Sequence, residues 1–445
     1  MERSERIAAY LNDVCAQVRW KQAHPVIARE LSDHIEDERQ SLLSQGLPEE
    51  AAEKQAIREM GDALDVGRRF DEAYRPQKSW SVWIPFAVLM VFGFLARAYV
   101  RNSFVAFDHA LVLLLFFLGA CVVPVGRLAK WTLPLYGVYT VGLLAVTMLT
   151  ANGFLIRGYN QDTGYILLFL PVLSALLIYH MRGRGIFGVC LICVAHTAIA
   201  LIALQSSIGS YVLVACACMC LLLYAIAQGW FDCKKTVAVL IVVLPVVLLL
   251  AMMIAVHPSR FAQLLALFLP EFAPDPQGAG FLGATVREVL AAARLFGPVD
   301  ATAVDGAVVD YISRSTVFEN DCMLTLLSAR LGKIVFVAAV LLLAAFVLLS
   351  LRACMKQRSM LGKFISLSVL LTFAVQAAGY IMGNLGITML LRYPMPFVAF
   401  GDTAMLCNLI LCGLLFSTLR TGALLDDGRL QKQPRWKLKL VRETE

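Results

Sequence analysis

The stretch FENDCMLTLLSARLG, residues 318–332, places two carboxylates, Glu319 and Asp321, at the start of an apolar run. A carboxylate beside a bilayer is costly unless it is paired or functional. Asp321 is therefore a candidate general base, since a carboxylate within hydrogen-bond reach of a hydroxyl can take its proton during attack. The alternative is structural, because Asn and Asp are favoured helix N-caps and Asn320-Asp321 precede a helical pattern. These residues alone leave both roles open.

The composition indicates an integral membrane protein. The 445 residues are 59% hydrophobic and 16% charged, with a mean hydropathy of +0.72, whereas soluble chains are about 45–50% apolar and about 25% charged. The net charge of +7 combines an acidic segment, residues 1–77, with a basic remainder. Because membrane proteins concentrate Lys and Arg in cytoplasmic loops, this basic excess does not require nucleic acid, and we expect no nucleic-acid partner.

Apolar runs predict about ten membrane-spanning helices, since about 20 residues cross a hydrocarbon core of about 30 Å. We expect an all-α membrane domain over residues 78–420, preceded by a small helical domain over 1–77 and followed by a basic tail over 421–445. The predicted spans are 80–98, 107–126, 131–153, 164–180, 185–203, 210–228, 236–256, 322–350, 364–385 and 402–419.

The basic residues of the short loops predict the orientation. One set of alternate loops contains Arg127, Lys130, Arg182, Arg184, Lys234, Lys235, Arg352, Lys356, Arg358 and Lys363. The opposite set contains only Arg97, Arg101, Arg157 and Arg392. Because cytoplasmic loops carry the excess of Lys and Arg, we expect both termini in the cytoplasm. The long connection between the seventh and eighth spans, residues 257–321, is then extracytoplasmic.

Residues 1–77 have the pattern of a soluble helical domain. One predicted helix ends near Gly46, and a second begins after Pro48 and ends at Gly61, which are favoured start and stop residues. His34 lies among acidic residues, but no second His or Cys has a matching spacing. We interpret this segment as a solvated helix face and predict no protein metal site.

The loop over residues 257–321 is rich in titratable residues and contains two amphipathic patterns, RFAQLLALFLPEF and TVREVLAAARLF. Such patterns predict short helices lying on the membrane surface. A long, partly apolar external loop is more often functional than a simple connection. Its acidic residues are Glu271, Asp275, Glu288, Asp300, Asp305, Asp310, Glu319 and Asp321.

Four stretches resemble motifs of the SEDS (shape, elongation, division and sporulation) family. They are LQSSIGSYVLV, SRFAQLLALFLPEFAPDPQGAGF, ENDCMLTLLSARLG and PMPFVAFGDT. The residues that match the motifs are Gln205, Gly209, Ser210, Arg260, Asp275, Pro276, Gly278, Gly280, Asp321, Leu331, Gly332, Pro394, Pro396, Phe397 and Gly401. The resemblance covers most of residues 200–420, and it implies a SEDS-like membrane fold. Residues 1–77 resemble the prefix domain of some permease-like membrane proteins, which implies regulation or assembly.

The resemblance implies peptidoglycan glycosyltransfer at the outer face of the bacterial cytoplasmic membrane. A sugar hydroxyl of lipid II would attack the anomeric carbon of an undecaprenyl-linked glycan, with Asp321 matching the family's essential aspartate. A pyrophosphate favours guanidinium partners. A divalent cation, Mg²⁺ or Mn²⁺, held by Asp321 and phosphate oxygens is the second possible role for this carboxylate. The candidate substrate-binding residues are Arg260, Arg392, Arg157, Arg314, Gln205, Pro394, Pro396 and Gly401.

Other functions and partners are also implied. The family works with a class B penicillin-binding protein, which we expect as a partner, and residues 1–77 would bind a cytoplasmic partner whose identity the sequence does not give. A lipid-linked substrate flippase or transporter is an alternative, although it predicts ionisable residues near the midplane, and spans one to seven and nine offer little besides His196. A non-catalytic scaffold is the third possibility.

Overall fold

The structure is a computed structural model that describes residues 5–74, 80–101, 110–151, 161–206, 208–256, 258–265, 275, 280–300, 319–357, 359–387, 393–398 and 402–422. Within these ranges every regular element is helical. The chain divides into two compact units, one formed mainly by residues 1–78 and the other mainly by residues 79–419. The cytoplasmic location of the first unit stays a prediction.

The first unit is a bundle in which α1 packs on α4 and α2 on α3. Gly46 and Gly61 have positive φ values at the ends of α2 and α3, and Pro48 precedes α3, as the sequence predicts. The buried interior includes Val14, Ile27 and Ile35. The elements are α1 (Glu5–Gln17), a 3₁₀ helix (Lys21–Ala23), α2 (His24–Ser44), α3 (Glu49–Met60) and α4 (Ala63–Tyr74).

An ion-pair network joins α2 to α3. The guanidinium of Arg39 lies 2.8 Å from Glu36 on its own helix and 2.9 Å from Glu49 at the start of α3. The hydrogen bond from Arg39 lowers the pKa of the Glu36 carboxyl below its usual value. This surface network therefore stabilises the bundle most where both carboxylates are ionised.

The second unit confirms the all-α membrane fold. Within the described residues, eight helices are long and apolar enough to cross a membrane, and two shorter apolar helices lie at 111–122 and 164–180. Each predicted span overlaps one of these ten segments, although the span predicted over residues 322–350 overlaps its segment, Lys333–Met355, only in part. The helices are α5 (Trp80–Arg101), α6 (Ala110–Val122), α7 (Val125–Lys130), α8 (Thr132–Ala151), α9 (Gln161–Leu167), α10 (Leu170–His180), α11 (Gly185–Ser206), α12 (Ile208–Ala227), α13 (Lys235–Val256), α14 (Pro258–Leu265), α15 (Phe281–Ala292), α16 (Met323–Leu331), α17 (Lys333–Met355), α18 (Met360–Asn384) and α19 (Asp402–Thr421).

The predicted single span over residues 322–350 is wrong, because two helices meet there at Gly332. Gly332 has a φ of +106°, and a Cβ at this position would lie 2.5 Å from the carbonyl oxygen of Leu295. The loop segment before residue 300 packs into this break: the amide of Gly297 donates to the carbonyl of Leu331 at 3.0 Å, and that of Lys333 to the carbonyl of Arg294 at 2.9 Å. Of the two helices α16 and α17, only α17 has the length and composition of a membrane span.

Part of each amphipathic pattern of the 257–321 segment is helical: residues 260–265 lie in α14, and residues 285–292 lie in α15. We expected them to lie on the membrane surface, but the apolar side of α15 packs on protein. Val286 clusters with Cys322, and Val289 clusters with Ala329 of α16. The loop helix α15 therefore becomes part of the structure around Asp321.

Candidate functional site

Asp321 lies in the short turn before α16 and is half-buried. The N-cap position of α16 is Cys322, whose side chain makes no capping hydrogen bond. Asp321 and Asn320 therefore lie one and two residues before the N-cap position. Asp321 does not lie at the end of the span α17. The buried helix α16 separates Asp321 from that span.

Asn384, at the C-terminal end of α18, fixes the main chain on both sides of this turn. Its Nδ2 donates to the carbonyl oxygen of Asp321 at 3.0 Å. Its Oδ1 accepts from the amide of Thr325 at 3.1 Å and from the Thr325 hydroxyl at 3.2 Å. The first amides of a helix have no intrahelical partner, so Asn384 satisfies a group that α16 cannot satisfy itself.

Tyr380 supports the same turn from one helical turn away. Its hydroxyl accepts a hydrogen bond from the amide of Met323 at 3.2 Å. Tyr380 is 3% exposed, and Thr325 and Asn384 are fully buried. Buried polar groups that are all paired form a rigid arrangement. The half-buried Asp321 carboxyl group is thus attached to a main chain that α18 holds in place.

Arg287 of α15 reaches the other side of this region. Its Nη1 donates to the carbonyl oxygen of Gly386, two residues after Asn384. The helix can approach because Gly283 and Gly386 lack side chains: a Cβ on Gly386 would lie 2.5 Å from the carbonyl oxygen of Gly283. The loop helix therefore places a guanidinium group at the C-terminal end of α18. The same end of α18 contacts the main chain of Asp321 through Asn384.

The segment of Pro394 and Pro396 forms a turn that is buried among helices. Gln376 of α18 donates to the carbonyl oxygen of Pro394 at 2.9 Å. Phe397, which follows Pro396, has a φ of +65°, which is unusual for a bulky residue. Its ring packs edge-to-face against Phe373 at 5.2 Å. The structure thus shows how the turn is held, while its contact with substrate stays a prediction.

Two resemblance motifs meet at this turn. The hydroxyl of Tyr393 lies 3.2 Å from the carbonyl oxygen of Ser210 and 3.0 Å from that of Gly164. In the loop motif, the amide of Gly280 donates to the carbonyl of Asp275 at 2.8 Å and leads directly into α15. The Tyr393 hydroxyl, directly before the proline motif, therefore joins that motif to the main chain of the LQSSIGSYVLV motif.

Several predicted substrate-binding residues lie outside the described part of the chain. Gln205 and Arg260 belong to α11 and α14, but their side chains are not among those described. Nothing in the structure places the others, which are Arg157, Arg314, Arg392 and Gly401.

An apolar cavity of about 410 Å³ lies between α11, α12 and α13. Its walls are formed mainly by aliphatic and sulfur-containing side chains, including Cys193, Val212, Met219, Val246 and Leu250. The helix α13 is largely exposed along its apolar length. A cavity of this kind suits a hydrocarbon chain better than a polar solute.

His196 borders the same cavity, and its ring is engaged in helix packing. Its Nδ1 lies 2.8 Å from the carbonyl oxygen of Ile192, and its Nε2 lies 3.1 Å from the hydroxyl of Ser174. These contacts give His196 a structural role.

The described residues contain no group of three His, Cys, Asp or Glu side chains placed to hold a metal ion. Mg²⁺ at phosphate sites commonly uses one or two carboxylates, with the remaining ligands supplied by water and substrate phosphates. Asp321 alone fits that pattern, in which a cation would bind together with the substrate.

Sequence reasoning missed Asn384, Tyr380 and Arg287. A partial signal existed, because Tyr380 and Asn384 are four residues apart and hence share a helix face. The sequence does not show that this face meets Asp321. For Arg287, the nearby Gly283 is the only local hint of a close backbone approach.

A family model described as "Cell cycle protein", which covers FtsW, RodA and SpoVE, matches residues 166–422, more than half of the chain. No curated protein matches. The fold is similar to a solved peptidoglycan synthase complex that coordinates polymerization and crosslinking, with 16% identity, a TM-score of 0.56 and coverage of 78% of this chain and 98% of the other. It is also similar to an aspartate-to-alanine mutant of the Thermus thermophilus rod shape determining protein RodA, with 14% identity, a TM-score of 0.50 and the same coverages. The multi-pass membrane protein described here belongs to the FtsW, RodA and SpoVE family of cell cycle proteins, the SEDS family.

Proposed function

We propose that this protein is a peptidoglycan glycosyltransferase that polymerises lipid II at the outer face of the bacterial cytoplasmic membrane, with both termini in the cytoplasm. This places it in cell-wall synthesis linked to cell shape, division or sporulation. The observation that carries the proposal is the half-buried Asp321 on a turn whose main chain is held by the buried Asn384. Family membership supplies the reaction class.

In the proposed reaction, a sugar hydroxyl of lipid II attacks the anomeric carbon of the undecaprenyl-linked glycan. A carbon–oxygen bond forms, the bond to the pyrophosphate breaks, and undecaprenyl pyrophosphate leaves with the electron pair. The hydroxyl proton passes to the carboxylate of Asp321. General base catalysis of this type typically contributes about 10²–10⁴-fold to the rate. A rigid turn favours the reaction because it keeps the base at a fixed distance from the attacking oxygen.

The substrate's isoprenoid tail requires an apolar environment. The 410 Å³ cavity between α11, α12 and α13 is large enough for part of such a chain, and its composition supports a lipid substrate. The tail and the headgroup would then bind to different parts of the membrane unit.

The expected partner is a class B penicillin-binding protein. A structurally similar relative was solved as a peptidoglycan synthase complex, which supports a partner that crosslinks the glycan. For residues 1–77 we propose a regulatory or assembly role with a cytoplasmic partner. The acidic surface of this unit favours a basic partner.

Purified protein in lipid nanodiscs, given fluorescent lipid II, tests the proposal. We expect glycan chains from the wild type and a loss of about 10²–10⁴-fold in kcat for Asp321→Asn, the range of a lost general base. Glu319→Gln removes a neighbouring carboxylate and is the matched control, expected to retain activity. Equal chain growth in Asp321→Asn, or no growth in the wild type, refutes the catalytic assignment.

The other outcomes separate the remaining functions and roles. Lipid II flipping in liposomes without polymer would identify a transporter, and partner binding without either activity would identify a scaffold. A titration with Mg²⁺ and Mn²⁺ separates the two roles of Asp321. A cation-binding role predicts that Asp321→Asn raises the cation concentration required for half-maximal glycan synthesis. A base role predicts a lower maximal rate at every concentration.

A further inference from the structure

The side chain of Arg287 is oriented by a backbone contact. Its Nη1 donates to the carbonyl oxygen of Gly386, and a Cβ on Gly386 would lie 2.7 Å from the Cγ of Arg287. Gly386 has a φ of +69°, a conformation that glycine adopts without strain. The absence of a side chain at Gly386 therefore lets the arginine stem lie directly against the end of α18.

Contacts on both sides of Arg287 lead to Asp321. On one side, Gly386 is two residues from Asn384, which donates to the carbonyl oxygen of Asp321 at 3.0 Å. On the other side, Val286, the neighbour of Arg287, is buried against Cys322, the neighbour of Asp321. These independent contacts place the guanidinium and the carboxylate in the same region of the protein.

The positive charge of Arg287 is available to a ligand. The residue is exposed, and none of the ion pairs between described residues includes it. A guanidinium has five N–H donors, and the bond to Gly386 uses a single one. Capping the end of α18 explains that bond, but it leaves most of the donors free to bind an anion.

We propose that Arg287 binds the pyrophosphate group of a polyprenyl-linked substrate, an inference that rests on the proposed function. The planar guanidinium matches two phosphate oxygens at once. As the glycosidic bond breaks, negative charge increases on the leaving pyrophosphate, so a fixed cation stabilises the transition state more than the ground state. The loop helix α15 thus supplies the anion-binding group, and the turn before α16 supplies the carboxylate.

A binding experiment tests this role without requiring catalysis. Wild-type protein in nanodiscs is titrated with undecaprenyl pyrophosphate and, separately, with uncharged undecaprenol. We expect Arg287→Ala to weaken undecaprenyl pyrophosphate binding about 10- to 100-fold, as for charge-assisted hydrogen bonds. Arg287→Lys should lose less, and undecaprenol binding should not change. Arg294→Ala is the matched control, since Arg294 is an exposed arginine of the same loop paired with Asp300.

Three results would overturn the inference. The first is equal affinity of Arg287→Ala and wild type for undecaprenyl pyrophosphate. The second is an equal loss for both lipids, which would show a structural role. The third is a wild type that does not prefer the charged lipid. If the protein makes no glycan but Arg287→Ala still weakens undecaprenyl pyrophosphate binding selectively, only the proposed function is refuted. If the protein makes glycan but Arg287→Ala binds undecaprenyl pyrophosphate as tightly as the wild type, only this inference is refuted.

Discussion

Replacing Asn384 by alanine should release the turn that carries Asp321. The fully buried Thr325 amide would lose its partner, and an unsatisfied buried group costs about 1–3 kcal/mol. The Asp321 carbonyl would lose a further bond, worth about 1 kcal/mol. The Thr325 hydroxyl keeps the main-chain carbonyl of residue 384 at 3.1 Å, so it adds little. The expected local destabilisation is therefore about 2–4 kcal/mol, from these two losses.

Hydrogen–deuterium exchange measures this effect without any activity assay. Because about 1.4 kcal/mol corresponds to a factor of ten, the amides of Met323 and Thr325 should exchange about 30- to 700-fold faster in Asn384→Ala. Asn408 of α19 provides a matched control, since it is also buried and its Oδ1 is unpaired among the described residues. Asn408→Ala should leave exchange in residues 319–331 unchanged.

The same variant should affect catalysis in a defined way. A base that is no longer held at a fixed position lowers kcat, whereas lipid binding at other sites keeps KM nearly constant. We expect at least a tenfold lower kcat for lipid II polymerisation, equivalent to about 1.4 kcal/mol of barrier. Unchanged exchange at Met323 and Thr325 in Asn384→Ala, or the same increase in Asn408→Ala, would refute the conclusion that this network holds the turn.

Two further predictions concern the helix break and the N-terminal unit. Gly332→Ala should destabilise the membrane unit by about 2–4 kcal/mol, because strain from a positive φ costs about 1–3 kcal/mol and the new Cβ would also meet a carbonyl 2.5 Å away. Gly297 has a φ of +82°, and a Cβ added there would meet no atom within 4 Å. Gly297→Ala should therefore cost only the backbone strain, and equal melting-temperature shifts for Gly332→Ala and Gly297→Ala would contradict this. Residues 1–78 expressed alone should fold, as judged by circular dichroism, and Arg39→Ala should cost about 0.2–1 kcal/mol at pH 7. The hydrogen bond from Arg39 holds the folded pKa of Glu36 below its usual value. This contribution should therefore be present at neutral pH and disappear as the pH falls through the folded pKa. An equal effect of Arg39→Ala in urea unfolding at pH 7 and pH 2 would contradict this.

Helix positions were predictable where the determining interactions are local. The seventh span was predicted at 236–256 and is observed as Lys235–Val256, because an uninterrupted apolar run has few other stable states in lipid. In the N-terminal unit, α3 extends from Glu49 to Met60 between Pro48 and Gly61, and both flanking residues act on their immediate neighbours.

The break between α16 and α17 could not be predicted from its own residues. Leu331-Gly332 lies between Arg330 and Lys333 in a largely apolar stretch, and glycine alone is tolerated inside a helix. The break is fixed by backbone hydrogen bonds to Arg294 and Gly297, which belong to another segment. The contacts of Asn384 with Asp321 and of Arg287 with Gly386 are likewise separated by 63 and 99 residues, so no local pattern indicates them.

One helix, α18, accounts for the arrangement of the candidate site. Gln376 holds the Pro394 carbonyl, and Asn384 holds the Asp321 carbonyl. These two contacts are eight residues apart, about 12 Å along the helix axis at about 1.5 Å per residue. Most of α18 is buried between neighbouring helices, and close-packed interiors resist small displacements.

Since the proline turn and the carboxylate are both attached to α18, their separation depends on the length of one rigid element. A movement of α15 alone would change the distance between Arg287 and Asp321 without altering that separation. In the proposed function, α18 therefore fixes the distance between the carboxylate and the proline turn, whereas the packing of α15 fixes the distance between the carboxylate and Arg287.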